Sequence, residues 1–230
     1  KNIMLSRDFK VSVESPEAIV NKTIKEYRKN LDDIQRNLTN IPAWYKDLVE
    51  ESANITELDS DLKELERKLS IASTTDDYIE IMDGLNEIEV PSSIKITSGS
   101  VPKLILAENI DVGALSDLGA GNYEDEEAFQ EAIEKWFNTN MEASLDYEII
   151  SLKYENSEEP IVSVFKLKIK PKEEIREAYL VLDANLTKAK FKEDYNEKDL
   201  QGVTGVVVNY LAADSEKTFE FALSYIEPDD

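Results

Sequence analysis

Four Asn-x-Thr triplets are the clearest places where residue type and spacing prescribe a chemistry. They are Asn21-Lys22-Thr23, Asn37-Leu38-Thr39, Asn54-Ile55-Thr56 and Asn185-Leu186-Thr187. None has Pro in the middle position, so each fits the acceptor pattern for an N-linked glycan. The chain holds 15 Asn and 10 Thr in 230 residues, and random placement would give fewer than one such triplet. Asn21, Asn37, Asn54 and Asn185 are therefore the expected glycosylation sites, set against the plainer role of Asn and Thr as polar residues of helix faces and turns.

Other chemistries find less support. Without His or Cys, the chain cannot assemble a Ser-His-Asp or Cys-His machine, a zinc finger, an iron–sulfur site or a disulfide framework. Paired carboxylates alone can hydrolyse glycosides when held about 5–10 Å apart across a sugar. With 49 Asp and Glu, accidental pairs are unavoidable. The aromatic neighbourhoods that would flag such a cleft are Trp44-Tyr45 near Asp47 and Glu50, and Trp136-Phe137 near Glu134. Both have helical spacing and read as packing residues, so no catalytic residue is assigned. Gly119-Ala120-Gly121 lacks the third Gly and the Lys of a phosphate loop, and four acids, Glu124 to Glu127, occupy the helix start that follows.

Calcium is the one metal the sequence suggests, and only weakly. Asp194, Asn196 and Asp199 offer oxygens at close spacing, as do Asp111 and Asp117 around a Gly-containing loop. Neither stretch has the Gly and terminal Glu of the twelve-residue calcium loop, so a solvated acidic turn is the plainer expectation. No cofactor is expected.

Charge narrows the partners. The formal net charge is −23, from 26 Lys and Arg against 49 Asp and Glu. A surface of that sign repels phosphate backbones and anionic membranes, which argues against nucleic acid or a lipid surface as partner. No apolar run approaches the roughly 20 residues of a spanning helix. The chain opens on Lys1 without a signal-peptide pattern, and reads as a piece of something longer or a processed form, with any anchor outside it.

The backbone carrying these side chains divides into three expected regions. In residues 1–13, Phe9, Val11 and Val13 alternate with polar residues, the period of a strand belonging to the β-rich body. Residues 14–90 read as a helical hairpin or three-helix bundle. Ser15-Pro16 starts a helix whose apolar positions Val20, Ile24, Tyr27, Leu31, Ile34, Leu38 and Ile41 follow a heptad, ended by Pro42. A second heptad runs through Ile55, Leu58, Leu62, Leu65, Leu69 and Ala72, and a third, shorter helix covers Thr75–Glu87.

Residues 91–230 form the β-rich region. Strands are expected at Ile94–Thr97, Lys103–Ile110, Leu145–Lys153, Ile161–Lys170, Glu177–Asp183, Val203–Leu211 and Lys217–Ile226, with one helix over residues 124–140. The fold class is thus α+β: a β-sandwich-like, immunoglobulin-like body carrying an inserted N-terminal helical hairpin.

Acidic, Cys-free, β-rich and dotted with Asn-x-Thr, the chain resembles in style an archaeal cell-surface ectodomain, and an extracellular or cell-surface place in a prokaryote is expected. The expected role is non-enzymatic: adhesion, assembly or envelope structure through contacts with a protein partner or a second copy, made by the coiled-coil-like hairpin. The alternatives are a carbohydrate-active hydrolase using carboxylates only, and an intracellular coiled-coil scaffold in which the triplets are coincidence.

Overall fold

Ser15 sits in extended backbone, and its hydroxyl accepts the Ala18 amide at 3.2 Å while Pro16 occupies the first turn. Together they start α1, Pro16–Leu38, because the cap satisfies an amide the helix cannot and Pro has no amide there to satisfy. The structure is a computed structural model that describes residues 14–101, 106–110, 112, 124–182, 189–200 and 203–225. The strand expected at Phe9–Val13, and its pairing with a sheet, lie outside these residues. So do the Gly113–Gly121 loop, Asp111, Asp117 and Asn185.

Both heptads fold as helices, and a further helix lies between them. After α1 come α2, Ala43–Ser52, and α3, Ile55–Ile71. Asn54 joins these two in the left-handed region, at φ 50°, where Asn is tolerated better than most residues. α4, Thr75–Glu87, begins with a reciprocal cap: Thr74 Oγ1 accepts the Asp77 amide, and the Asp77 carboxylate accepts the Ser73 and Thr74 amides at 2.8 Å. The two backbone amides of Ser73 and Thr74 are the main cause that holds the Asp77 carboxyl below its ordinary range.

The seams bury one another. Val20, Leu31, Ile34, Leu62 and Leu85 are completely buried, and Tyr27 donates its hydroxyl to the Leu85 carbonyl at 3.5 Å. Arg28 of α1 grips α3 with a bidentate pair to Glu66, both bonds 2.9 Å, and a third bond to Asp59 at 2.5 Å. α3 and α4 approach closely at Gly84, where a Cβ would lie 2.8 Å from Leu65 Cδ2.

The remaining chain is antiparallel sheet with one helix, which makes the fold α+β, with five helices and eight strands among the described residues. In order these are β1 Ser93–Val101, α5 Glu126–Asn140, β2 Met141–Lys153, β3 Glu158–Pro171, β4 Ile175–Leu182, β5 Lys190–Phe191, β6 Glu197–Leu200, β7 Val203–Leu211 and β8 Lys217–Ser224. Five strands form one sheet in the order β1-β2-β3-β8-β5, and three form another, β4-β7-β6.

The strand expected over Lys103–Ile110 is not a strand in its described part, where Ala107–Asn109 is a 3₁₀ turn. The reason is local. Glu134 of α5 accepts the Ala107 amide at 2.8 Å, and Gln130 donates to the Ile110 carbonyl at 2.7 Å, so α5 takes backbone groups a neighbouring strand would need. Asp199, read as part of a loop, lies on β6 opposite Thr204.

The five-stranded sheet is packed differently on its two faces. One face continues the helical core without a break: Ile150, Leu152, Val162 and Ala222 join the cluster of α1–α4 residues. The other carries Phe165, Phe221 and Leu223 with Leu180 of β4 against them. Between the two sheets and α5 is an apolar space of about 570 Å³, bordered by Phe137, Leu167, Ile175, Leu211 and Phe219 among others.

Candidate functional site: a groove beside the second helix

Period-two patterning sets two adjacent rows of residues across the large sheet, since directly opposite residues in an antiparallel ladder share a face. One row is Gly99, Tyr147, Phe165, Phe221 and Phe191. Its rings stack in sequence, with Phe165–Phe221 centroids at 5.4 Å and Phe191–Phe221 at 5.6 Å. The next row is Ser100, Asp146, Lys166 and Glu220, and it points to the opposite face. Lys192, just beyond β5, extends this row: its amide donates to the Glu220 carbonyl at 3.0 Å and its Nζ to Glu220 Oε2 at 2.9 Å.

The helices cover the apolar end of that face and stop before the charged row. The uncovered part is a groove of about 710 Å³, walled by Pro42, Trp44 and Tyr45 and floored by the charged row with Ser98, Glu148 and Val164. Its volume falls in the range of ligand clefts, roughly 300–1,000 Å³. α2 positions the wall. Tyr45 is buried against the sheet and meets Trp44 edge-on at 4.6 Å, which fixes the indole at the groove rim. Burial, reinforced by the nearby Glu148 charge, pushes the Tyr45 hydroxyl up to about 12.

The floor charges are only partly committed. Asp146 is paired with Lys168 at 3.0 Å and Glu220 with Lys192. Lys166, flanked in register by both of those acids, makes no ion pair or side-chain hydrogen bond among the described residues, and neither does Glu148. The Trp44 indole nitrogen likewise has no hydrogen-bond partner there. The groove thus offers an aromatic wall, two serine hydroxyls on strands and, among the described residues, one unpaired cation and one unpaired carboxylate.

Residues singled out from the sequence are scattered. Asn37 and Asn54 are exposed, whereas Asn21 is half-buried and its Nδ2 donates to the Glu17 carbonyl at 2.9 Å. Asn54 Nδ2 donates to the Glu57 carboxylate. Asp194 and Asn196 are exposed in the stretch before β6, and among the described residues no group of three or more acids is gathered as metal ligands would be. Asp47 and Glu50 lie with Asn54 around a separate acidic depression, away from the Trp44 groove. Trp136 and Phe137 border the inter-sheet space.

Sequence reasoning missed the groove floor. Asp146, Lys166, Lys192 and Glu220 are unremarkable polar positions on separate strands, and only the pairing register makes them neighbours. The usable signal was the alternation itself, which puts all four opposite the aromatic set. Comparison of the chain with family models, with curated proteins and with solved structures returned no significant match.

Proposed function

We propose that this chain is a non-enzymatic recognition module of a prokaryotic cell surface or secreted protein, serving adhesion, assembly or envelope structure. The observation that carries this reading is the excess of Asn-x-Thr triplets combined with the exposure of Asn37, in the last turn of α1, and of Asn54, between α2 and α3. A dispersed acidic surface keeps such a module soluble and off anionic polymers. Peptide mapping by mass spectrometry of the protein from its native source tests it. Glycan mass on Asn37 or Asn54 supports the reading, and unmodified Asn at all four triplets overturns it.

The body of this module is sandwich-like, two sheets facing across an apolar space, with α1–α4 inserted as a buttress on the outer face of the larger one. A partner or second copy would meet the outer helix surfaces, because the seams are already buried. Exposed Ile19, Ile71 and Ile79 are the apolar residues available there, at 39, 71 and 49% exposure. Sedimentation at micromolar concentration reads this directly. Purely monomeric protein removes self-association.

One observation favours the second reading, a carboxylate-only hydrolase: Trp44 stands beside Asp146, Glu148 and Glu220. Two of those three acids are held in ion pairs with Lys168 and Lys192, so an acid–base couple would have to break one. The scaffold reading is weaker still, since the helices spend their apolar faces on each other and on the sheet.

A further inference from the structure

We infer that the groove beside α2 binds a neutral, polyhydroxylated ligand, a short run of an oligosaccharide chain lying along Trp44. This deepens the recognition reading and rests on it for the absence of turnover.

The class of ligand follows by elimination and by fit. Three carboxylates and two ammonium groups line the groove, on a chain of net charge −23, so phosphate- or sulfate-bearing ligands are repelled. An extended peptide added to the sheet would have to pair along the outer edge of β1 or β5, whereas across the groove floor the backbone of β2, β3 and β8 is already used in ladders. An apolar ligand would strip water from Lys166 and Glu148 without replacing their hydrogen bonds.

A neutral sugar meets each requirement at once. Its hydroxyls both donate and accept, matching a floor that alternates Ser100, Asp146, Lys166, Glu220 and Lys192 across successive strands. The Lys166 ammonium and Glu148 carboxylate, unpaired among the described residues, supply charge-assisted hydrogen bonds. The apolar face of a pyranose ring packs on an indole, and Tyr45 holds that indole in place. Strand-borne groups need no ordering on binding, which favours affinity.

Trp44 and Trp136 are the two tryptophans of the chain, so Trp136→Phe leaves Trp44 as sole indole reporter. This variant is titrated with maltohexaose, cellohexaose, chitohexaose and mannohexaose while its emission is followed. A saturable change with at least one of them is expected. In the same background Lys166→Ala and Glu148→Ala, both exposed strand positions, should each weaken binding about tenfold without lowering the melting temperature.

Calorimetry on Trp44→Ala with a wild-type melting profile should show binding lost. No emission change with any of the four sugars, or binding indifferent to Lys166→Ala and Glu148→Ala, overturns the inference. New reducing ends released during titration would keep the groove as a sugar site but overturn the non-enzymatic reading. Unmodified triplets in native protein would overturn the surface reading and leave the sugar titration to stand on its own.

Discussion

The phenol ring of Tyr147 lies across Gly99 on the neighbouring strand, so close that a Cβ at position 99 would sit 2.4 Å from its Cζ and Oη. The two residues are in direct register between β1 and β2, and Gly99 is the small member that lets the aromatic row begin flush with the sheet edge. Gly99→Ala should therefore cost about 1–3 kcal/mol through overpacking, even though alanine is the better strand residue. Adding Tyr147→Ala should recover part of that loss. A thermal-unfolding double-mutant cycle measures it, and additive effects would show that the contact is not what Gly99 serves.

Arg28 is the cross-brace between α1 and α3, and its effect should depend on pH. Donors from Lys63 and Arg28 hold the Asp59 carboxyl below its ordinary value of 3.8. A depressed carboxyl contributes stability that is fully present above that value and lost as the pH falls through the folded-state value. Melting temperature should thus decline on acidification below about pH 4, with a shallower decline for Asp59→Asn. Arg28→Ala, whose side chain is 26% exposed, should cost about 1–2 kcal/mol at neutral pH. Equal acid slopes for wild type and Asp59→Asn would refute the linkage.

At the alkaline end Tyr45 and Tyr195 should dominate. Both hydroxyls are pushed up to about 12, Tyr45 by burial and the Glu148 charge, Tyr195 by burial and its bond to Glu193. A raised tyrosine keeps its proton when folded, so stability is complete below the unfolded value of 10.0 and falls as the pH climbs towards 12. Absorbance titration of phenolate should show a late step that Tyr45→Phe diminishes. A titration in which all tyrosines ionise together near 10 before any unfolding would contradict the burial of Tyr45.

The triplets should differ in occupancy where they are modified at all. Asn37 and Asn54 are exposed, while the Asn21 amide is half-buried and bonded to the Glu17 carbonyl. Site-resolved mass spectrometry should find Asn37 and Asn54 occupied to a greater extent than Asn21. Full occupancy at Asn21 with bare Asn37 and Asn54 would reverse the ranking.

How much of this was legible beforehand follows the range of the interactions involved. The helices were readable because their signals are local: Ser15-Pro16, the Thr74–Asp77 cap and the uninterrupted heptads all act within a few residues. α2 shows in the sequence only as Trp44-Tyr45 at helical spacing, because its purpose, laying those two rings on the sheet, is set by strands about a hundred residues or more away. Most strands were legible from alternation. Which strands pair was not, and so the groove floor stayed hidden. Lys103–Ile110 misled because its apolar run is satisfied by α5 instead of a sheet partner.

Val90 and Pro91, the joint between α4 and β1, are both buried, and the helical core runs into the sheet without a seam. A joint of that kind has no hinge. α1, 23 residues and so roughly 34 Å long, behaves as a strut and not as a tether. Tension applied at its far end is delivered to the β2–β3 hairpin instead of being absorbed by a swivel. A partner that gripped the helices, as proposed, would thereby be held at a fixed bearing from a ligand in the groove.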